Sequence, residues 1–262
     1  MNSIQFPSRL PQILINVAAL VVTLVINTLA NTLPLGGRTT GEISDSFNVL
    51  FVPAGYVFSI WGLIYLALIG FTAFQALPAR QSNPAVRAAG YWYALTCLAN
   101  SLWIIFWHYG YYTLTLVVML TLLASLIVIY RRLAAVRPAD AATRWLVHAP
   151  FSLYLGWISV ATIANASTVL VALGWDGRPL DPIAWTVVMI TTAAALSLLM
   201  SRIHRDAIYA TVIAWALIGI LVKQSAIPAV AIASVTALIV LVAGAVAIEF
   251  RNLVLVVPKG AK

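Results

Sequence analysis

The residues that could do chemistry in this chain are tryptophans, tyrosines and asparagines that lie at helical spacing inside long uncharged runs. They are Trp61 and Tyr65, then Asn100 and Trp103, and finally Tyr154, Trp157 and Asn165. Their spacings place each group along one face of a helix. Because amide and phenol groups are costly inside a bilayer, these faces are expected to meet something other than lipid. Indole and phenol rings could cover a flat apolar molecule while amide and hydroxyl groups bind its polar edge.

Catalysis and metal binding are not indicated by the remaining residues. The sequence contains no carboxylate pair, no Cys–His pair, no histidine cluster with metal spacing and no phosphate-binding glycine loop. His108 lies in a His-Tyr-Gly-Tyr-Tyr turn, and we interpret it as an interfacial residue in preference to an axial ligand of haem. We therefore predict no catalytic residue, no metal site and no required cofactor. An enzyme stays an alternative, because spacing does not reveal a tryptophan that acts as a redox residue.

The composition indicates a membrane protein. Of the 262 residues, 63% are hydrophobic and 8% are charged, and the mean hydropathy of +0.99 exceeds that of ordinary soluble domains. The net charge of +8 does not indicate a nucleic-acid partner, because the basic residues lie almost wholly between the apolar runs. Those runs are continuous and do not alternate with polar residues, which favours helices over a β-barrel.

Eight apolar runs, uncharged except for Glu249 near the end of the last, come close to the length of about 20 apolar residues that a membrane span needs. They cover residues 10–33, 56–77, 91–108, 113–130, 146–173, 183–201, 207–222 and 227–250. The predicted fold is therefore an all-α, polytopic transmembrane bundle of eight helices. With eight spans both termini share one side, and only Arg38, Arg178 and Lys223 among the fifteen basic residues fall on the other. The positive-inside rule then predicts a cell-membrane protein with both termini in the cytoplasm.

The polar and aromatic residues of four spans are expected to share one outward-facing pocket. Because consecutive spans run in opposite directions, these residues fall in the outer half of the bilayer or near its midplane. The loop of residues 34–54 is long for a connection and is predicted to form a lid. The predicted ligand-binding residues are Asn27, Asn31, Phe58, Trp61, Tyr65, Asn100, Trp103, Tyr154, Trp157 and Asn165. For any one of them, the alternative is an asparagine that bridges helices or a tryptophan that fills the core or the interfacial belt.

Three segments resemble motifs of the TspO/MBR family, the translocator or tryptophan-rich sensory proteins. Trp61–Tyr65 is similar to the family's Trp-x-x-Leu-Tyr segment, and Asn100–Trp103 is similar to its Asn-x-x-Trp. Tyr154–Trp157, with Asn165 after it, resembles the family's Tyr-Leu-x-Trp and later asparagine. Ser59 with Ile60 departs from the pattern, because the family usually has Gly-Pro there.

The resemblance covers roughly residues 10–173 and implies a five-helix core of residues 1–175. Residues 176–262 would then form a three-helix membrane extension that supports the core or mediates assembly. Small residues in the spans mark close helix contacts within one chain or between the chains of a homo-oligomer. These residues include Gly62, Gly70, Gly219 and Gly244.

The resemblance also implies a function. It predicts a pocket beneath the first loop for a flat hydrophobic ligand such as a porphyrin, haem or a sterol. On that basis we expect an integral membrane binding or sensory protein, partnered by the bilayer and this ligand, that also facilitates movement of the ligand. The alternatives are a transporter of a small hydrophobic metabolite and a membrane scaffold without a ligand. Light-dependent porphyrin degradation has been proposed for the family, but this sequence offers no catalytic constellation for it.

Overall fold

The computed structural model describes residues 9–33 and 35–256, with side chains described as far as residue 247. Pro34, at the start of the predicted lid, lies outside the described residues. So do Lys259 and Lys262, which contribute to the predicted charge bias of the termini. Every regular element in the described part of the chain is helical.

The helices follow one another with short connections. They are α1 (Leu10–Thr32), α2 (Thr40–Asp45), α3 (Ile60–Ala76), α4 (Pro84–Ala89), α5 (Trp92–His108), α6 (Tyr112–Ala134), α7 (Ala141–Thr143), α8 (Ala149–Ala172), α9 (Pro182–His204), α10 (Ala207–Lys223) and α11 (Pro228–Val256). A π-helical turn at Arg144–His148 joins α7 to α8, so that these two elements form one continuous segment.

Six helical segments in the described part of the chain are long and apolar enough to cross a membrane. They are Leu10–Thr32, Gly55–Ala76, Tyr112–Ala134, Ala141–Ala172, Pro182–His204 and Pro228–Ala247. Helices α5 and α10 have 17 residues each. That length gives about 25 Å of helix, slightly less than a hydrocarbon core of about 30 Å. The predicted all-α, polytopic membrane fold is confirmed, and the count of eight spans stays a prediction.

The chain divides into two compact units, and α8 contributes to both. The first unit comprises the residues up to Ile43 together with Ile60–Leu155. The second comprises Ser44–Ser59 and the residues from Gly156 onward. Seven of the ten predicted ligand-binding residues therefore belong to the first unit, and the other three belong to the second.

In the first unit, α1 buries a single stripe of side chains against α5 and α3. The stripe recurs at alternating intervals of three and four residues, which is the period of one helix face. Its buried members are Ile13, Asn16, Leu20, Thr23, Asn27 and Ala30. After α1 the chain turns at Gly36, whose φ of +69° suits glycine. A Cβ atom at Gly36 would lie 2.9 Å from the His108 carbonyl oxygen, so glycine also allows this close approach.

In the second unit, α9, α10 and α11 pack on one another, and the segment Ser44–Ser59 lies against α10. The Ala54 amide donates to the Gly219 carbonyl at 3.1 Å, and the Trp215 indole Nε1 donates to the Val57 carbonyl at 3.2 Å. A Cβ atom at Gly219 would overlap Val57 Cγ2 and would lie 2.9 Å from Pro53 Cβ. Glycine at this position therefore lets the irregular segment pack directly on the helix.

Candidate functional site

Asn100 is the centre of a hydrogen-bonded group in the first unit. Its Oδ1 accepts from Asn27 Nδ2 at 2.8 Å and from Tyr65 Oη at 3.5 Å, and its Nδ2 donates to Tyr154 Oη at 3.0 Å. Asn100 is 1% exposed, and Asn27 and Tyr154 are also buried. The group joins side chains from four helices, α1, α3, α5 and α8. Together with Trp61, which stacks on Tyr65, we call these five residues the Asn100 cluster.

A second polar layer, one helical turn from Asn27, fixes α1 against α5. Asn27 Nδ2 also donates to the Thr23 carbonyl at 2.9 Å. Thr23 Oγ1 donates to the Cys97 carbonyl at 3.0 Å and lies 3.1 Å from Ser101 Oγ. A buried polar group without a partner costs about 1–3 kcal/mol, so these paired groups favour one register of the two helices.

Aromatic rings surround the polar centre of the Asn100 cluster. The rings of Trp61 and Tyr65 are stacked, with centroids 5.5 Å apart and planes inclined at 21°. Four-residue spacing on α3 places them on one face of the helix, as their sequence positions predict. The Trp61 ring meets the Tyr154 ring edge-on at 5.9 Å. Tyr154 is buried, whereas Trp61 and Tyr65 are partly exposed and so keep ring surface accessible.

Trp103 lies one turn from Asn100 on α5 and stacks on Trp107, with ring centroids 5.2 Å apart. Trp107 Nε1 donates to the Thr40 carbonyl at 3.2 Å, which fixes the start of α2. The site prediction omitted Trp107, although its four-residue spacing from Trp103 is the signal that could have included it. Trp103 is 7% exposed, and its Nε1 finds no hydrogen-bond acceptor among the described residues.

Asn31 is placed differently from Asn27, its neighbour one turn earlier on α1. Asn31 is exposed, and its Nδ2 donates to the Asn27 carbonyl of its own helix at 2.9 Å. This bond leaves the Asn31 amide engaged with the backbone of α1. Of the seven predicted residues in the first unit, the structure brings Asn27 and four others into the Asn100 cluster, and it places Trp103 one turn away.

The remaining predicted residues, Phe58, Trp157 and Asn165, belong to the second unit. Phe58 meets Trp157 edge-on, with ring centroids 5.9 Å apart and an interplanar angle of 83°. Trp157 and Asn165 are buried. Edge-to-face pairs of this kind are favourable packing contacts, so Phe58 and Trp157 stabilise this unit.

A capping box begins α2, in the loop that was predicted to form a lid. Glu42 Oε2 accepts from the Thr39 backbone amide at 2.7 Å, and the Glu42 amide donates back to Thr39 Oγ1 at 3.3 Å. The hydrogen bond from the Thr39 backbone amide, followed by that from its hydroxyl, lowers the pKa of the Glu42 carboxyl. The box gives this short helix a defined start.

The side chains of the Asn100 cluster are amides, phenols and an indole. Such groups bind by stacking and by neutral hydrogen bonds, and the cluster contains no carboxylate, imidazole or thiol. His108, at the end of α5, is buried and its Nδ1 lies 2.8 Å from the Ile104 carbonyl, so Nδ1 is the donor of that pair. The arrangement therefore suits recognition of a ring system and its edge.

Comparison with known families shows which family this chain belongs to. The family model described as TSPO-like protein matches residues 12–247. The TspO/MBR resemblance drawn from the motifs is thereby confirmed. Its predicted extent of residues 10–173 was too short, because the family match continues through α9 and α10 and into α11. The chain matches no curated protein and no solved structure.

Proposed function

The chain belongs to the TSPO-like protein family, and from this premise we propose that it binds a planar hydrophobic ligand at the Asn100 cluster. The ligand class is that of porphyrins, haem or sterols, for which the protein acts as a membrane receptor or sensor. Family membership and six helices able to span a bilayer make it a multi-pass membrane protein. The proposal adds the ligand and the place where it binds.

The observation that carries the proposal is the stacked Trp61–Tyr65 pair beside the hydrogen-bonded Asn100 centre. The outer faces of the stacked, partly exposed rings offer aromatic surface to a flat molecule, and the neighbouring Tyr65 hydroxyl keeps lone pairs that can accept hydrogen bonds from its edge. The buried Trp103 Nε1, whose acceptor is not among the described residues, adds a donor one turn away. A ligand oxygen would satisfy that donor and remove the cost of burying it.

Titration of the purified protein with protoporphyrin IX tests the proposal. Binding is followed by quenching of tryptophan fluorescence and by the Soret band. Trp61→Leu should weaken saturable binding about tenfold, because it removes the stacked face. The matched control is Trp145→Leu, since Trp145 is in the same unit but is 64% exposed. Absence of saturable binding, or equal weakening by both substitutions, would refute the proposal.

The same preparation separates the alternative functions. Loss of the Soret band in light, only when protein is present, would indicate an enzyme. Flux of porphyrin into liposomes that responds to a pH gradient would indicate a coupled transporter. A protein without saturable porphyrin binding, flux or degradation would be a scaffold.

The orientation that we propose has both termini in the cytoplasm, and it can be tested by cysteine labelling. Cys97 is 2% exposed, so the native thiol should give little background. Ser82 and Arg178 are exposed positions in loops predicted to lie on opposite sides. A membrane-impermeant maleimide applied to intact cells should label Arg178→Cys and spare Ser82→Cys. The reverse pattern would invert the proposed topology.

A further inference from the structure

A cavity of about 250 Å³ lies within the second unit, at the adjoining ends of two candidate spans. Its apolar walls are Val49 and Leu50, Val171 near the end of α8, and Met189 on α9. Drug-sized ligands occupy pockets of roughly 300–1,000 Å³, so this cavity suits a molecule of fragment size. None of its lining residues belongs to the Asn100 cluster, and the inference does not depend on the proposed function.

The segments around the cavity are held by their own hydrogen bonds. Gln224 Nε2 donates to the Leu50 carbonyl at 3.1 Å, which fixes the irregular segment. Trp185 Nε1 donates to the Gly177 carbonyl, which fixes the turn after α8. The Asp181 carboxylate accepts from the Ala184 amide at 2.8 Å and caps α9. A cavity bounded in this way is formed before any ligand binds, which lowers the entropic cost of binding.

Two tryptophans line the cavity together. The rings of Trp175 and Trp185 meet edge-to-face, with centroids 5.2 Å apart and an interplanar angle of 63°. Both side chains are partly exposed. The faces of indole rings attract cations more strongly than those of phenol or benzene rings. This pair therefore favours a ligand that combines an apolar body with a positive charge.

The hydroxyl and carboxylate groups of the cavity can accept hydrogen bonds, and Asn48 adds an amide that can both donate and accept. Ser167 and Thr186 are buried, and each hydroxyl donates at 2.8 Å to the carbonyl four residues earlier in its own helix. Since a hydroxyl has one hydrogen, only lone pairs remain for a ligand. Asp176 adds a carboxylate, which pairs with Arg178 at 3.3 Å. The side chains of Arg178 and Asp176 are 89% and 63% exposed, and Asp176 Oδ1 also accepts from the Arg178 amide at 3.0 Å. Such exposed pairs contribute little, so a ligand cation can compete with Arg178, and the ligand's own pair with Asp176 is weak for the same reason.

We propose that this cavity binds a small organic ammonium ion with an aromatic or aliphatic body. The ammonium hydrogens would bond to Asp176 and to the free lone pairs of Ser167 and Thr186, while Trp175 and Trp185 contact the charge and the body. A free amine and the headgroup of an ethanolamine lipid share this chemistry. Both sources are therefore included in the test.

The test compares two probes of similar size by titration calorimetry, using the full chain in dodecyl maltoside. 2-Phenylethylammonium should bind saturably, and the neutral 3-phenyl-1-propanol should bind at least tenfold more weakly. Asp176→Asn should weaken binding of the ammonium probe about threefold without affecting the alcohol. Asp181→Asn is the matched control, because asparagine also caps helices and this residue does not line the cavity. Equal affinity for both probes, no effect of Asp176→Asn, or no saturable binding overturns the proposal.

Two further measurements complete the experiment: a substitution that fills the cavity, and a comparison of lipid compositions. Val171→Phe should abolish binding of the ammonium probe while the helical circular dichroism stays unchanged, and retained binding would overturn the assigned location. Repetition in phosphatidylglycerol nanodiscs, with and without phosphatidylethanolamine, then identifies the natural source. Competition by phosphatidylethanolamine supports the headgroup as the ligand, and undiminished probe binding supports a free amine.

Discussion

The two units of this protein differ in the polar groups at their candidate sites. In the first unit, Asn27, Asn100 and Tyr154 bond to one another and join helices. In the second, Ser167 and Thr186 line a cavity of about 250 Å³ and each donates to a carbonyl of its own helix, although Ser167 Oγ also lies 3.3 Å from Met189 Sδ on α9. Polar residues that form hydrogen bonds between helices recur at helical intervals, so the sequence can predict them. A cavity depends on how a loop and helix ends fill space, which no periodicity encodes.

Among the substitutions that test this difference between the units, Asn100→Leu is expected to have the largest effect on the free energy of unfolding. Leucine has a similar volume but removes the partner of both Asn27 and Tyr154. Buried groups left unpaired cost about 1–3 kcal/mol each, and hydrogen bonds inside membranes average less, so we expect destabilisation of about 2 kcal/mol. Reversible unfolding in mixed micelles would measure this change.

Asn31→Ala and Thr186→Val are the controls for Asn100→Leu. Asn31 is exposed and bonds only within α1 in the contacts described above, so its removal should change stability by less than about 0.5 kcal/mol. Thr186 bonds to its own helix, and valine keeps its shape. If Thr186→Val destabilised the protein as much as Asn100→Leu, the contrast between the two units would be lost.

The helices could be predicted from the sequence because uncharged runs and their boundaries determine them. Residues 183–201 were expected to be helical, and α9 runs Pro182–His204 with Asp181 as its cap. Whether Asn31 is buried or exposed was harder to predict from the sequence. Each step of four residues advances about 40° beyond a full turn, so Asn31 lies about 80° from Thr23 around the helix. Ile13, five full turns before Asn31 and therefore at the same angle, is buried, so spacing alone does not predict that Asn31, in the last turn of α1, is exposed.

Two features of the second unit lay beyond the reach of sequence analysis. The segment Ser44–Ser59 was predicted to belong to the lid and to the second span. Its sequence pattern did not predict that it packs on α10. The glycines were equally ambiguous. Gly219 receives the packed segment, whereas a Cβ atom at Gly62 would meet nothing within 4 Å. Tertiary contact distinguishes the two, and spacing does not.

The substitutions Gly219→Ala and Gly62→Ala test this difference in packing. Their expected effects on the free energy of unfolding are smaller than that of Asn100→Leu. Alanine at Gly219 would overlap Val57 and press on Pro53, and overpacking costs about 1–3 kcal/mol. The gain in helix propensity offsets about 1 kcal/mol of this, so net destabilisation should be about 1 kcal/mol. Gly62→Ala has only the gain and should stabilise by up to about 1 kcal/mol. Equal effects in the same unfolding assay would mean that the Ser44–Ser59 segment does not pack tightly on α10.

The smallest expected effect is a pH dependence that belongs to the first unit. The hydrogen bond from Arg80, and then that from the Thr143 backbone amide, lower the pKa of Asp140 from 3.8 to about 2. A carboxyl whose pKa falls on folding contributes stability above its unfolded pKa. That contribution is lost as the pH falls through the folded value, so the window lies between pH 3.8 and pH 2.

Asp140→Asn should therefore remove part of the fall in unfolding temperature between pH 4 and pH 2. Asparagine retains the cap on Thr143 and loses the charge, so the substitution isolates the ion pair. The comparison variant is Asp45→Asn in the second unit, which breaks the ion pair with Lys223 and leaves Arg80–Asp140 intact. Asp45→Asn should keep the wild-type fall. If instead the two variants flattened the pH profile equally, acid sensitivity would be a property of the whole chain and would not distinguish the units.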